Sequence, residues 1–118
     1  MRAWALALCL PLAAADPITP AQAIGEGVAL GLTLVDWAQT SQIADNRNYA
    51  YWEETNPFLP KHPRRRNVNR WFAASLAVQS VTFYYLPSKW RGLYLAGYIG
   101  LEAGSVQRNA LSGVRIRF

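Results

Sequence analysis

The stretch WFAASLAVQSVTFYYL, residues 71–86, carries no charged side chain on any face. A helix that is apolar all round, and not along one stripe, lies in a protein core or in lipid. A chain of 118 residues is short for burying several such helices in water. This stretch therefore predicts an all-α protein and favours a membrane environment.

Two more apolar segments flank this stretch, so that helices are predicted at about 20–44, 63–86 and 90–109. A membrane crossing needs ~20 residues. Because the uncharged cores of the second and third segments are shorter than this, a soluble three-helix interaction domain is the alternative. Aromatic residues gather near the segment ends, as in an interfacial belt: Trp71, Phe72, Phe83, Tyr84, Tyr85, Trp90 and Tyr94. We therefore expect a small polytopic membrane protein with three transmembrane helices.

Composition and the first residues support that expectation. Hydrophobic residues make up 52% of the chain and charged residues 16%, against a usual ~25% charged. Residues 1–15 have a basic start, an apolar run and small residues before Asp16, which is the layout of a cleavable signal peptide. The single cysteine, Cys9, excludes an intramolecular disulfide framework.

The basic residues set the predicted orientation. Nine of them fall on the segments 45–70 and 108–118, and two fall between the second and third helices. The positive-inside rule then places the N-terminus in the periplasm and the C-terminus in the cytoplasm of a bacterial inner membrane. The run Arg64, Arg65 and Arg66 is expected to bind anionic lipid headgroups of the bilayer and no nucleic acid.

Each predicted helix also carries small residues four positions apart, which allow close helix packing in lipid. The pairs are Gly27 and Gly31, Ala73 and Ala77, and Gly100 and Gly104. Glu102 lies on nearly the opposite side of its helix from both glycines of that segment. We therefore expect protein on both sides of the third helix, either within the bundle or in a homo-oligomer.

A set of polar side chains accompanies these helices. Asp36, Gln39 and Thr40 share one face of the first helix because they are three and four positions apart. The cluster is expected to comprise these three together with Glu54, Thr55, Asn56, His62, Glu102 and Asn109. It fits either a structural network that folds the loop after the first helix onto the bundle or an ion or proton site. A metal site that uses His62 with Asp36 or Glu54 has too few ligands to be favoured.

Three spaced motifs of the chain resemble short, uncharacterised membrane proteins of proteobacteria and their tailed phages. The motifs are D-W-x-Q-T at 36–40, E-T-N-P-x-L-x-x-H-P at 54–63 and G-L-E-A-G at 100–104. The resemblance covers roughly residues 34–110. It implies a fold and a membrane location, and it implies no established activity.

No nucleophile–base pair, phosphate-binding glycine loop or zinc-protease motif is present, so we expect neither an enzyme nor a cofactor. The first hypothesis is an inner-membrane protein of phage or prophage type that acts by self-assembly or by binding a host membrane protein, as a holin-like or envelope-modifying factor. The second is a small ion or proton carrier or channel that uses Asp36 and Glu102.

Overall fold

The computed structural model describes residues 15–44, 53–54, 57–114 and 116. Within these ranges the chain is all helical, with α1 at Pro20–Ile43, α2 at Arg65–Tyr85 and α3 at Ser88–Leu111. The signal-peptide prediction falls almost wholly on residues outside these ranges, as do Cys9, Thr55 and Asn56. Helix α1 packs against both α2 and α3, while α2 and α3 contact each other little.

Local sequence signals explain where α1 begins and where α2 gives way to α3. Thr19 accepts a hydrogen bond from the backbone of Gln22, whose side chain accepts one from the Thr19 backbone, so a capping box precedes Pro20. Proline at position 87 cannot continue α2, and α3 starts at the next residue. Only Leu86 and Pro87 therefore separate α2 from α3.

The prediction of three transmembrane helices is wrong. None of the helices in the described part of the chain combines the length and the apolar content that a membrane crossing requires. Charged residues interrupt the helices themselves: Arg65, Arg66 and Arg70 lie in the first two turns of α2. Lys89, Arg91, Glu102 and Arg108 lie within α3.

The aromatic residues predicted to form an interfacial belt lie partly in the core instead. Phe83 is buried with Ala29 and Leu95 where α1, α2 and α3 meet. Phe72 is buried with Ala44 and Val68, and its ring stacks on Trp37 at 5.9 Å between centroids. Burial of these rings contributes much of the apolar surface that holds α2 to α1.

The small-residue stripes do not lie at helix contacts. A Cβ atom built on Gly27, Gly31 or Gly100 would meet nothing within 4 Å, and Ala73 and Ala77 are exposed. A Cβ atom at Gly104 would approach only the side chain of Arg108, at 3.5 Å.

The closest approach of α1 to α3 at a glycine falls instead at Gly25. A Cβ atom there would lie 2.9 Å from Cδ1 of Leu95. A homo-oligomer that uses the exposed small residues stays a prediction.

Polar side chains also join the helices. The hydroxyl groups of Thr33 in α1 and Tyr98 in α3 lie 2.7 Å apart. The side-chain amide of Gln79, which is buried in α2, donates to Glu26 in α1 at 2.8 Å. These contacts hydrogen-bond the side chains of Thr33 and Gln79 where the helices cross, while atom Oε1 of Glu26 is buried without a hydrogen-bond partner among the described residues.

The end of the bundle near the α2–α3 turn is built around Arg91, which is completely buried. Its guanidinium donates to the backbone carbonyls of Phe83 and Tyr84 before the turn. It also donates to the carbonyls of Asp16 and Pro17 before α1 and to the side-chain oxygen of Gln22 at 3.2 Å. The cation therefore ties the start of α1 to the α2–α3 turn.

Candidate ligand-binding site

Asp36 lies in the last third of α1 and faces α3. Its Oδ1 atom accepts a hydrogen bond from Nδ2 of Asn109 at 3.0 Å and a long one from the Thr40 hydroxyl at 3.5 Å. Gln39 belongs to the same network, because its side chain accepts from Asn109 and donates to the carbonyl of Val106. The predicted polar face of α1 thus packs on the end of α3, and the contacts with Thr55 and Asn56 that we expected lie outside the described residues.

The turn after α3 fixes the position of Asn109. The backbone N–H of Gly113 donates to Ala110, and that of Val114 donates to Asn109 itself. This pair of bonds is a Schellman motif, and Gly113 supplies the left-handed conformation that it needs, with φ of 83°. Because Val114 is buried, the motif anchors the end of α3 and aims the Asn109 side chain at α1.

Two further carboxylates lie near Asp36. Glu102 of α3 lies close enough to share a hydrogen bond with Asp36, and the charge of Glu54 also acts on Asp36. Glu54 is held by its backbone N–H, which donates to the carbonyl of Lys61 at 2.8 Å and closes the loop before α2. Atom Oε2 of Glu102 is buried and has no hydrogen-bond partner among the described residues.

This arrangement changes the acidity of the carboxyl groups. The pKa of Asp36 is raised from 3.8 to about 7, mainly because burial removes water and also because Glu102 and Glu54 are negative, while the Thr40 hydroxyl acts in the opposite direction. Burial likewise raises the pKa of Glu102, and its hydrogen bond with Asp36 lowers it. Near neutral pH Asp36 is therefore partly protonated, and in this form it donates the hydrogen bond that it shares with Glu102.

The acids line a cavity with a volume of about 490 Å³. Four aromatic residues also line this cavity and form what we call its aromatic wall: Phe58, Trp71, Phe72 and Tyr98. The Phe58 ring stacks on Trp71 with centroids 5.2 Å apart, so these two form one continuous surface. Arg108 contributes one positive charge to the lining.

The other predicted site residues lie apart from this cavity. His62 is exposed in the loop before α2 and does not line the cavity. Arg64, Arg65 and Arg66 are exposed at the start of α2, and their binding to lipid headgroups stays a prediction. Within the described residues no group of three histidine, cysteine or acidic side chains is close enough to hold a metal ion.

The aromatic wall is not among the site residues predicted from the sequence. Tyr98 lies one helical turn before Glu102, so the two share a face of α3, and this spacing is visible in the sequence. Phe58 gave no such signal, because only the folded loop places its ring on Trp71.

Comparison of the chain with protein-family models, curated proteins and solved structures returned no match. The resemblance to short phage and proteobacterial membrane proteins therefore stays a prediction. The same holds for an inner-membrane location and for binding to a host membrane protein.

Proposed function

We propose that the protein binds a small organic cation, such as an ammonium or guanidinium compound, in the cavity between Asp36 and the aromatic wall. The observation that carries this proposal is a pair of half-buried carboxyl groups, Asp36 and Glu102, that line one open cavity together with aromatic rings. A well-formed pocket with a few convergent polar groups of shifted pKa is the usual form of a ligand site.

The charge of the lining favours a monocation. Asp36, Glu54 and Glu102 supply three carboxyl groups to the lining, Asp36 being partly protonated near neutral pH, whereas Arg108 supplies one positive charge. The buried Oε2 atom of Glu102 offers an acceptor for the hydrogen bond of an N–H donor. The faces of Trp71 and Tyr98 attract a cation through their ring quadrupoles.

A purely structural role of the same network leads to a different expectation. If Asp36 only joined α1 to α3, the neutral side chain of asparagine would serve as well, because its oxygen still accepts from Asn109. In that case no ligand would compete with the proton on Asp36.

The proposal is tested by calorimetric titration of the protein with ethylammonium, tetramethylammonium and methylguanidinium at pH 6 and pH 8. Because a cation and a proton compete for Asp36, affinity should rise with pH, by roughly tenfold per unit well below the pKa and with a plateau above about pH 7. Titrations in two buffers of different ionisation enthalpy should show proton release.

A matched pair of variants locates the binding. Asp36→Asn should lower affinity by about tenfold or more, which corresponds to ~1.4 kcal/mol. Glu53→Gln removes the same charge from an exposed residue that pairs with Lys61, and it should change affinity by less than about twofold. Absence of binding for all three cations, or equal losses in both variants, would refute the proposal.

A further inference from the structure

A second cavity, with a volume of about 310 Å³, forms a groove between α2 and α3. It exists because both helices pack mainly on α1 and only lightly on each other. Its walls come from Trp71, Ala74, Ser75, Val78 and Gln79 of α2 and from Tyr94 and Tyr98 of α3. Val78 is 66% exposed, so an apolar surface is left uncovered along the groove.

The groove adjoins the acid-lined cavity. Trp71, Ser75 and Tyr98 line both spaces. The carboxyl groups lie in the first cavity, and no charged side chain among the described residues lines the groove. From Glu102 to Tyr94 the two spaces follow α3 for about 12 Å, the length of an alkyl chain of roughly eight to ten carbons.

We propose that the ligand is a cationic amphiphile, with its ammonium group between the carboxyl groups of the first cavity and its aliphatic tail in the groove between α2 and α3. This inference rests on the proposed function for the position of the ammonium group. The walls that the two cavities share support the position of the tail, since an apolar chain that leaves the acids past Trp71 and Tyr98 enters a groove with a helix on each side. The tail would remove the exposed apolar walls from water, which is the usual driving force for binding of an apolar group.

The test uses a series of alkyltrimethylammonium ions with two, six and ten carbons, titrated into the full chain below their micelle concentrations. Affinity should rise by about two- to fourfold per added methylene, as expected for partial to full burial of each group, and should level off near eight to ten carbons. Decyl sulfate, which has the same tail and an anionic head, should bind at least tenfold more weakly than the ten-carbon cation.

Two exposed valines of α2 provide a matched control. Val78→Asp places a charge in the groove. It should reduce the affinity for the ten-carbon ion to near that for the two-carbon ion, and the affinity for the two-carbon ion should not change. Val81 is 56% exposed and does not line the groove, so Val81→Asp should leave the whole series unaffected. Circular dichroism of both variants establishes that they are folded.

The outcomes separate the two proposals. If the short ions bind with the expected pH dependence and chain length has no effect, the tail inference is wrong and the proposed function stands. If no cation of any length binds, both fail. If Val78→Asp abolishes a concentration-dependent dimer and chain length has no effect, the groove belongs to a second copy of the chain and the tail inference is overturned.

Discussion

The two ends of the bundle treat buried charge in opposite ways. At one end Arg91 is fully buried and donates hydrogen bonds to four carbonyl oxygens and to Gln22. At the other end, about 21 Å along α1 from Gln22, Asp36 and Glu102 share a hydrogen bond and have raised pKa values. A buried oxygen of Glu102 has no hydrogen-bond partner in the described part of the chain.

This difference separates a structural charge from a charge available to a ligand. A buried ion whose hydrogen-bonding groups are all paired within the protein has no free donor or acceptor for a ligand. A buried acid beside a cavity, with a raised pKa and an open acceptor, is stabilised further when a cation arrives. The Arg91 end is therefore expected to control stability, and the Asp36 end to control binding.

Replacement of Arg91 should have the largest effect on the free energy of unfolding. Arg91→Met keeps the apolar stem and removes every donor, which leaves several carbonyls without a partner. We expect a loss of about 3–5 kcal/mol in the free energy of unfolding, measured by urea denaturation. Lys89→Met removes a neighbouring exposed cation and should cost less than about 0.5 kcal/mol. Equal effects of the two variants would mean that burial of Arg91 carries no special weight.

Asp36→Asn should change stability in the opposite direction. Because the pKa of Asp36 is about 7 in the folded protein and 3.8 in the unfolded chain, the folded state holds the proton more tightly. This contribution to stability is complete below about pH 4, is lost as pH rises towards 7, and stays lost above that.

The variant should therefore match the wild type near pH 4 and exceed its stability at pH 8 by about 1–3 kcal/mol, after allowance for screening by solvent in the cavity. Urea denaturation across this pH range measures the difference. A gain in stability at pH 8 together with a loss of cation binding identifies Asp36 as a binding residue. A gain in stability at pH 8 without any cation binding by the wild type would assign Asp36 to the structural network, and a loss of stability at pH 8 would contradict its raised pKa.

Part of the difference between the two ends of the bundle could be predicted from the sequence. Helical periodicity and proline positions indicated three helices, and the spacing of Asp36, Gln39 and Thr40 indicated a polar face that meets Asn109 in the structure. The transmembrane interpretation took residues 63–86 as one span and assigned the arginines at its start to lipid headgroups. It failed because Arg65, Arg66 and Arg70 belong to α2 itself, and the helix that contains them is not apolar enough to cross a membrane. The role of Arg91 and the aromatic wall depends on contacts between residues far apart in the chain, which no local pattern encodes.

Tyr98→Phe should have an intermediate effect on the free energy of unfolding, because Tyr98 lies between the two ends of the bundle. Its hydroxyl pairs with Thr33, which is completely buried and also donates to the carbonyl of Ala29. Loss of one hydrogen bond of this kind should cost about 1 kcal/mol of unfolding free energy. The ring and its attraction for a cation remain, so affinity should fall by less than about threefold. A larger loss of affinity would show that the hydroxyl itself contacts the ligand.

The smallest effects on stability should come from alanine substitutions of two glycines, one near each end of the bundle. Gly25→Ala places a methyl group 2.9 Å from Leu95, which is buried, so this side chain must shift. Gly104→Ala meets only the flexible end of Arg108 at 3.5 Å and should stabilise the helix by about 0.5–1 kcal/mol, since alanine restricts the unfolded chain. Thermal unfolding of the two variants should differ by about 1 kcal/mol or more in favour of Gly104→Ala. A lower stability of Gly104→Ala than of Gly25→Ala would place the tight helix contact at the acid-lined end, as the small-residue spacing predicted. Such a contact would leave no room for a cavity there.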